Sequence, residues 1–514
     1  MKKLLALMLA WMMLLTVLVA CDSTQKPQIN NDTENGDTEN GGDQNGGDEG
    51  DDDQEKGTPA TPVPGTEGLA YRLNSDAKSY TVTGIGTCTE SDIVISTYQG
   101  LSVTAVNYAA FRGSTQIKTV TLGEGVESVA PYAFENCTAL TSVTVGSTVK
   151  RIEFAAFKNC GALTDVTVAE GLTTMDDDIF WGCEALKNVT LPNTLTDIGD
   201  TVFEACYALV TTTYDNAAYV GNATNPYLYL HKAVNKEITT VNIHASTRFI
   251  GSYAFSGCSA LTEVTVPDSV TLLTEGAFYY CTGLSTLTLG DAVTRISDNA
   301  LSGCQSLTNF TLPESAIELS GNLFGGKTML NHATYGNCKY IGTASNPYLY
   351  LYEAIDTEIT SFEVHPDTKQ IGDYAFSYCN GLTQVVIPDH VTVIGDCVFL
   401  GCEKLTGITF PAGIKTIPGN MFVACPSLIS IVIPDGVTDM EGYLFSECTN
   451  LTSVTLPESL KNIGHHMFSE CTALTDIHFK GTKARWEEIY KGYEWNIETG
   501  AYTIHCIDGD IAKE

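Results

Sequence analysis

Seventeen cysteines carry most of the reactive chemistry in this chain, and twelve of them keep one phase. Cys137, Cys160, Cys183 and Cys206 are each 23 residues apart, as are Cys258, Cys281 and Cys304, and again Cys379, Cys402, Cys425, Cys448 and Cys471. Thiols in such number could hold metal, carry redox chemistry or form disulfides. Zinc sites use closely spaced cysteine knuckles, whereas this spacing lays one thiol per structural unit in a row. Neighbours in the row fall within disulfide range. Pairing, however, would break a uniform row into twos, and runs of three and five cannot pair fully. The row therefore reads as buried free thiols, each filling a small apolar niche. Cys88, Cys338, Cys397 and Cys506 lie outside the phase, and spacing does not say whether any two of them pair.

The other reactive side chains do not converge. His244 and His365 stand eleven residues before Phe255 and Phe376, the slot that Pro267 or Pro388 fills elsewhere, so they read as repeat-position substitutes. No nucleophile elbow, zinc-binding His-Glu-x-x-His or phosphate loop occurs. Asp51 to Asp53 lack the ligand spacing of a calcium loop, and Asp176 to Asp178 fall on a bend where solvation is the default. The expectation is a protein that is not an enzyme, with no cofactor and no metal. A net charge of −34 argues against nucleic acid as a partner.

The elements that position these residues form a repeat. Three residues before each in-phase cysteine stands Phe134, Phe157, Phe180, Phe203, Phe255, Phe278, Phe376, Phe399, Phe422, Phe445 or Phe468, with Leu301 once. Phe111 and Phe324 keep the phase without the cysteine. A fixed period of this length marks a solenoid, here of roughly 16 coils. In one unit Val454 and Leu456 alternate with Thr455, the period of a short strand with one buried face. Pro457 stops the strand, and Leu460, Ile463, Met467 and Phe468 are spaced to face inward. Stacked units share a core that no unit could bury alone. On the outer face of the strands stand Thr144, Thr167, Thr190, Thr265, Thr288, Thr311, Thr409 and Thr455, a regular, uncharged surface suited to recognition.

Two breaks interrupt the rhythm, and they match. Cys206 to Cys258 spans 52 residues, as does Phe324 to Phe376, and Tyr227-Leu228-Tyr229-Leu230 recurs 121 residues later as Tyr348-Leu349-Tyr350-Leu351. Each break reads as a coil carrying a β-hairpin, near 210–240 and 331–361. If exposed, Tyr227, Tyr229, Tyr348 and Tyr350 would form aromatic platforms for binding.

The amino terminus reads as an address. Met1-Lys2-Lys3 precedes an uncharged apolar run from Leu4 to Ala20, as in a secretory signal. Its end, Leu18-Val19-Ala20-Cys21, resembles the lipobox of bacterial lipoproteins, which implies cleavage before Cys21 and acylation of that residue, an anchor that holds when several chains insert. Residues 21–67 follow, rich in Asn, Asp, Glu, Gly and Thr. With 13 acids and 2 bases over residues 22–67 they read as a disordered, self-repelling tether.

The 23-residue pattern as a whole resembles the BspA-like, or Treponema-type, leucine-rich repeat family. Gly84, Ser91 to Ile95 and Gly100 to Thr104 resemble its N-terminal cap. Phe479 to Thr482, Trp486 and Ile504 to Gly509 resemble its C-terminal cap. The resemblance implies an α/β-type repeat solenoid with short parallel strands on one face. The expected plan is a signal peptide over 1–20, the lipidated linker over 21–67, a cap over 68–110, the solenoid over 111–474 and a cap over 475–514. It implies a membrane-anchored surface protein that binds host, matrix or other bacterial proteins through the threonine face. The alternative is an anchored glycan- or nutrient-binding component.

Overall fold

The chain divides into two units, Met1–Ala60 and Thr61–Glu514. In the computed structural model, residues 64–316, 318–324 and 330–512 are described, all within the second unit. The segment expected to be a signal peptide, Cys21 and nearly all of the expected linker lie outside the described residues.

Alternation in each repeat becomes a strand, and register follows from it. The strands Thr119–Leu122, Ser142–Val145 and Asp165–Val168 pair in parallel, with Val120 opposite Val143 and Val143 opposite Val166. All three valines are buried at 2% exposure or less, while Thr144 and Thr167 point out. A second, shorter strand follows in each coil, as in Arg151–Ile152 and Thr174–Met175, and forms its own parallel ladder. The third side of the coil is a run of turns bearing the Ala-Phe and Cys positions. Val454, Leu456, Leu460, Ile463, Met467, Phe468 and Cys471 are all within 1% of complete burial, so the inward set expected for that unit holds.

The result is a β-solenoid of about 18 turns of roughly 23 residues. Cap strands such as Ser79–Gly84 and Tyr490–Lys491 also take rungs in the short-strand ladder, which raises the turns above the number expected from the repeat. The α/β label needs correction. The only helix among the described residues is Lys483–Glu488, in the C-terminal region, where Trp486 is buried. The turn side of each coil is too short for a helix, because residues flanking the Ala-Phe positions adopt left-handed backbone, for example Ala155 (φ 54°) and Asn159 (φ 59°).

At each break the short-strand ladder gains an antiparallel hairpin. Thr212–Tyr214 pairs with Ala217–Val220, which pairs with Tyr229–Ala233, and only then does the parallel ladder resume at Phe249–Ile250. Ala333–Tyr335, Cys338–Ile341 and Tyr350–Ala354 repeat this at the second break. The buried side chains form three clusters whose boundaries fall at these hairpins.

The ladder does not cross from the coil before each hairpin to the coils beyond it; side chains make most of the link, joined at the second junction by the Asp373 N–H donating to the Gly321 carbonyl (2.7 Å). At the first junction the Arg295 guanidinium donates to the Ile198 carbonyl (2.7 Å) and pairs with Asp197 (2.9 Å), and Arg248 donates to the carbonyls of Asn193 and Leu195. The second junction uses neutral groups: Gln370 donates to the Leu319 carbonyl (2.9 Å) and the Tyr350 hydroxyl to that of Gly321 (2.6 Å).

A third interruption leaves the repeat phase untouched. Val393–Ile394 and Thr416–Ile417 do not pair, and neither do Gly407–Thr409 and Ser430–Val432. Elsewhere the residue after the short strand donates its N–H to the preceding coil, as Gly395 does to Ile371 and Glu441 to Ile417. Pro418 occupies that position here and has no N–H to give.

Candidate functional site

The long-strand ladder turns two residues outward per coil, as with Asp165 and Thr167 or Glu263 and Thr265, and the threonines form one of the two columns. Thr121 stands opposite Thr144 and Thr144 opposite Thr167, with a second run in which Thr265 faces Thr288. Of the eight threonines expected on this face, seven are exposed and Thr455 is half-buried. What their hydroxyls do separates them from other threonines of the chain. Thr141, Thr164, Thr173 and Thr196 each donate to a carbonyl one coil back, a structural duty at the corners. Thr190 accepts from the Val168 N–H. Among the described residues, the hydroxyls of Thr144, Thr167, Thr265, Thr288, Thr311, Thr409 and Thr455 make no such bond, and so are open to a partner.

The column changes character toward the C-terminus. Val386 pairs with Thr409, Val432 with Thr455, Thr455 with His478 and His478 with His505. Val386 is 64% exposed and Val432 61%. The two ring nitrogens of His505 face carboxylate acceptors, Nε2 that of Asp476 and Nδ1 that of Asp510, each at 2.9 Å. These hydrogen bonds raise its pKa. The repeat phase alone places Val386, Val432 and His478 in the threonine column, whereas His505, 27 residues after His478, joins it only through strand pairing. A groove of about 480 Å³ on the same face is lined by Thr288, Asn309, Thr311, Glu314, Asn331 and Ala344. Its rim is fixed where the Glu314 carboxylate accepts from the Ser345 N–H (2.8 Å) and hydroxyl (2.6 Å).

The hairpin tyrosines divide into two kinds. Tyr229 and Tyr350 are each 2% exposed and cannot be binding platforms. Two residues apart, the tyrosines of each string would share a face of an unbroken strand; they part because the strands begin at Tyr229 and Tyr350, which turn inward, and leave Tyr227 and Tyr348 in the turns before them. Tyr229 ends the first phenylalanine stack, edge-on to Phe203 at 5.3 Å. The Tyr229 and Tyr350 hydroxyls leave no room for a Cβ at Gly251 and Gly372. Tyr227 and Tyr348 are half-buried and reach the surface. His244 and His365 are more than substitutes for proline: they stack on Tyr227 (3.9 Å) and Tyr348 (3.8 Å).

The in-phase cysteines are buried free thiols. Ten of them donate from Sγ to the carbonyl of the phenylalanine one coil earlier, from Cys137 to Phe111 (3.1 Å) through Cys471 to Phe445 (2.9 Å). Cys258 opens its run, with no such phenylalanine behind it, and lies 3.9 Å from the Asn235 carbonyl. Burial pushes the Cys304 and Cys471 thiols up to about 12, so they stay protonated and unreactive. Cys88, Cys338 and Cys397 are buried too, while Cys506 is half-exposed. Alkylation of the native protein at pH 8.5 followed by mass spectrometry is expected to label Cys506 and leave the twelve ladder thiols unlabelled until denaturant is added. Native labelling spread along the ladder would contradict this. Asp176 to Asp178 are not simply solvated: Arg151 pairs with Asp176 (2.8 Å), Lys158 pairs with Asp178 (2.6 Å), and Asp177 accepts the Asp200 N–H (2.7 Å).

A family model described as the BspA type leucine rich repeat region matches in six copies over residues 89–221, 233–348 and 369–490. Among solved structures, a leucine-rich repeat protein from Bacteroides ovatus shares 22% identity over 85% of this chain and 98% of its own, with a TM-score of 0.32. A leucine rich cell surface protein from Faecalibacterium prausnitzii shares 26% over 84% of this chain and 98% of its own, with a TM-score of 0.31. The leucine rich repeat protein of T. pallidum shares 23% over 49% of this chain and 91% of its own, with a TM-score of 0.28. None of the curated proteins matches the chain.

Proposed function

The chain belongs to the BspA-type leucine-rich repeat family, and from that membership we propose that it is a cell-surface protein that binds extracellular proteins through its long-strand face. The observation that carries this is the column of threonine hydroxyls left without an internal partner. A rigid ladder holds these groups at a spacing of ~4.8 Å, so little order remains to be imposed on binding. The partners we propose are host, matrix or other bacterial proteins, and the role is adhesion. An array of labelled matrix and bacterial surface proteins probed with the full chain tests it. Thr167→Lys with Thr288→Lys is expected to weaken the binding found by at least ~10-fold, about 1.4 kcal/mol. Binding that survives both substitutions unchanged refutes the assignment of this face.

We place the protein on the envelope through acylated Cys21, on the strength of the Leu18-Val19-Ala20-Cys21 sequence. Among the described residues no helix is long and apolar enough to cross a membrane. In detergent phase partition the wild type is expected in the detergent phase and a Cys21→Ala form in the aqueous phase. A wild type found in the aqueous phase sinks the anchor.

A further inference from the structure

Each hairpin-bearing coil holds an aromatic cluster, and the two clusters are copies. In the first, Tyr227 stacks on His244 (3.9 Å, 22°) and Tyr214 meets that imidazole edge-on (4.9 Å, 86°). In the second, Tyr348 stacks on His365 (3.8 Å, 10°) and Tyr335 meets it edge-on (4.9 Å, 81°). A third tyrosine backs each stack, Tyr219 at 5.5 Å from Tyr227 and Tyr340 at 5.6 Å from Tyr348.

The polar tips of these rings fall into two classes. The inner tyrosines are satisfied: the Tyr219 hydroxyl accepts the His244 N–H, and the Tyr340 hydroxyl accepts that of His365 and donates to the Glu363 carbonyl. Each Nδ1 lies 3.2 Å from a backbone N–H two residues on, that of Ser246 and that of Asp367; His244 Nδ1 is also 2.9 Å from Ser246 Oγ, and His365 Nδ1 is 3.8 Å from the Asp367 carboxylate. Among the described residues Nε2 of neither imidazole has a partner, and neither do the hydroxyls of Tyr214 and Tyr227 or of Tyr335 and Tyr348. Tyr214 is 41% exposed and Tyr335 37%, so these tips reach the surface. A cluster that only fastened a hairpin would be served by phenylalanine. Here each copy ends in two phenols and one imidazole nitrogen.

Aromatic surface with a few fixed, neutral hydrogen-bonding groups suits a hydroxyl-bearing sugar ring, which offers an apolar face and a polar rim. Four paired rung steps, about 19 Å at ~4.8 Å each, and then the unpaired second junction separate Tyr229 from Tyr350. We propose that the two clusters are equivalent binding sites for a neutral polysaccharide, one chain of which engages both. They are separate from the threonine column, so either assignment can fail without the other.

Affinity electrophoresis of the full chain in gels containing β-glucan, xylan, mannan or starch tests this. At least one polymer is expected to retard the wild type. Tyr214→Ala or Tyr335→Ala alone should weaken binding of that polymer by ~100-fold through lost avidity, while binding of a short oligosaccharide by calorimetry drops from two sites to one. The double variant should migrate as it does without polymer. Tyr214→Phe with Tyr335→Phe keeps the stacks and removes two hydroxyls, and is expected to weaken retardation with an unchanged melting temperature. Retardation by none of the four polymers, or equal retardation of the double alanine variant, overturns the proposal. Equal affinity for polymer and oligosaccharide overturns the shared occupancy. Loss of matrix-protein binding in the double variant, with no polysaccharide bound, assigns the clusters to proteins and overturns it as well.

Discussion

Phe157→Ala is expected to destabilise the first block of the solenoid by about 4 kcal/mol, the range for emptying a fully buried aromatic site. Phe157 is completely buried and lies between two rings, 5.1 Å from Phe134 at 2° and 5.7 Å from Phe180 at 18°. Its carbonyl also accepts twice, from the Cys160 N–H of its own coil and from Cys183 Sγ of the next. The void cannot close, because the backbone ladders on two sides fix the distance between coils. Stability in a repeat protein is largely a sum of neighbour terms, so one lost ring weakens two interfaces. Phe157→Leu, which imitates Leu301 in its own coil, should cost less than half as much. Urea unfolding followed by hydrogen exchange checks both: the alanine variant should lose protection over residues 111–206 ahead of the other blocks. A loss below about 1 kcal/mol would show that the stack contributes little beyond volume.

That stack was legible in the sequence because its cause is local. Each coil must bury the same face, so Phe and Cys return at the same phase, and Val454, Leu456 and Ile463 could be assigned inward before any coordinates. The hairpins were legible as breaks, since Tyr227-Leu228-Tyr229-Leu230 recurs whole, but which tyrosine turns inward depends on where the strand begins, at Tyr229, with Tyr227 left in the turn before it. Where the ladder stops was only partly legible. Pro418 removes one donor and keeps the repeat length, so spacing cannot reveal it. The first junction was not legible, because Arg295 reaches Ile198 across 97 positions and no local pattern records such a pair. The threonine column was found, but its continuation through Val432 and His478 was missed. Attention to one residue type hid what shared phase would have shown.

The charged junction has a consequence in pH. Asp200 sits where the first block meets the second, its carboxylate accepting the Glu275 N–H at 2.7 Å. Asp177, whose Oδ1 accepts the Asp200 N–H, stands beside it, Arg295 and Ser297 approach from the second block, and Tyr229 lies behind. Burial, and then repulsion from Asp177, push its pKa up to about 6, with the Glu275 N–H, Ser297 and Arg295 only partly opposing. A carboxyl raised above its unfolded value near 3.9 takes up a proton on folding. Stability is then highest below the unfolded pKa and falls as pH rises through about 6, by about 3 kcal/mol in all. Asp200→Asn keeps an oxygen to accept the Glu275 N–H and removes the buried charge, while Arg295 retains Asp197 and the Ile198 carbonyl. The variant should therefore be more stable than the wild type at pH 7.5 by about 2 kcal/mol, with the difference vanishing near pH 4. Other carboxylates titrate over the same range, so the quantity to follow is the difference between the two proteins in urea midpoint from pH 4 to 7.5. A difference that is constant with pH, or an asparagine variant weaker at pH 7.5, would mean that the ionised carboxylate is bound favourably and that the junction is locked by charge rather than strained by it.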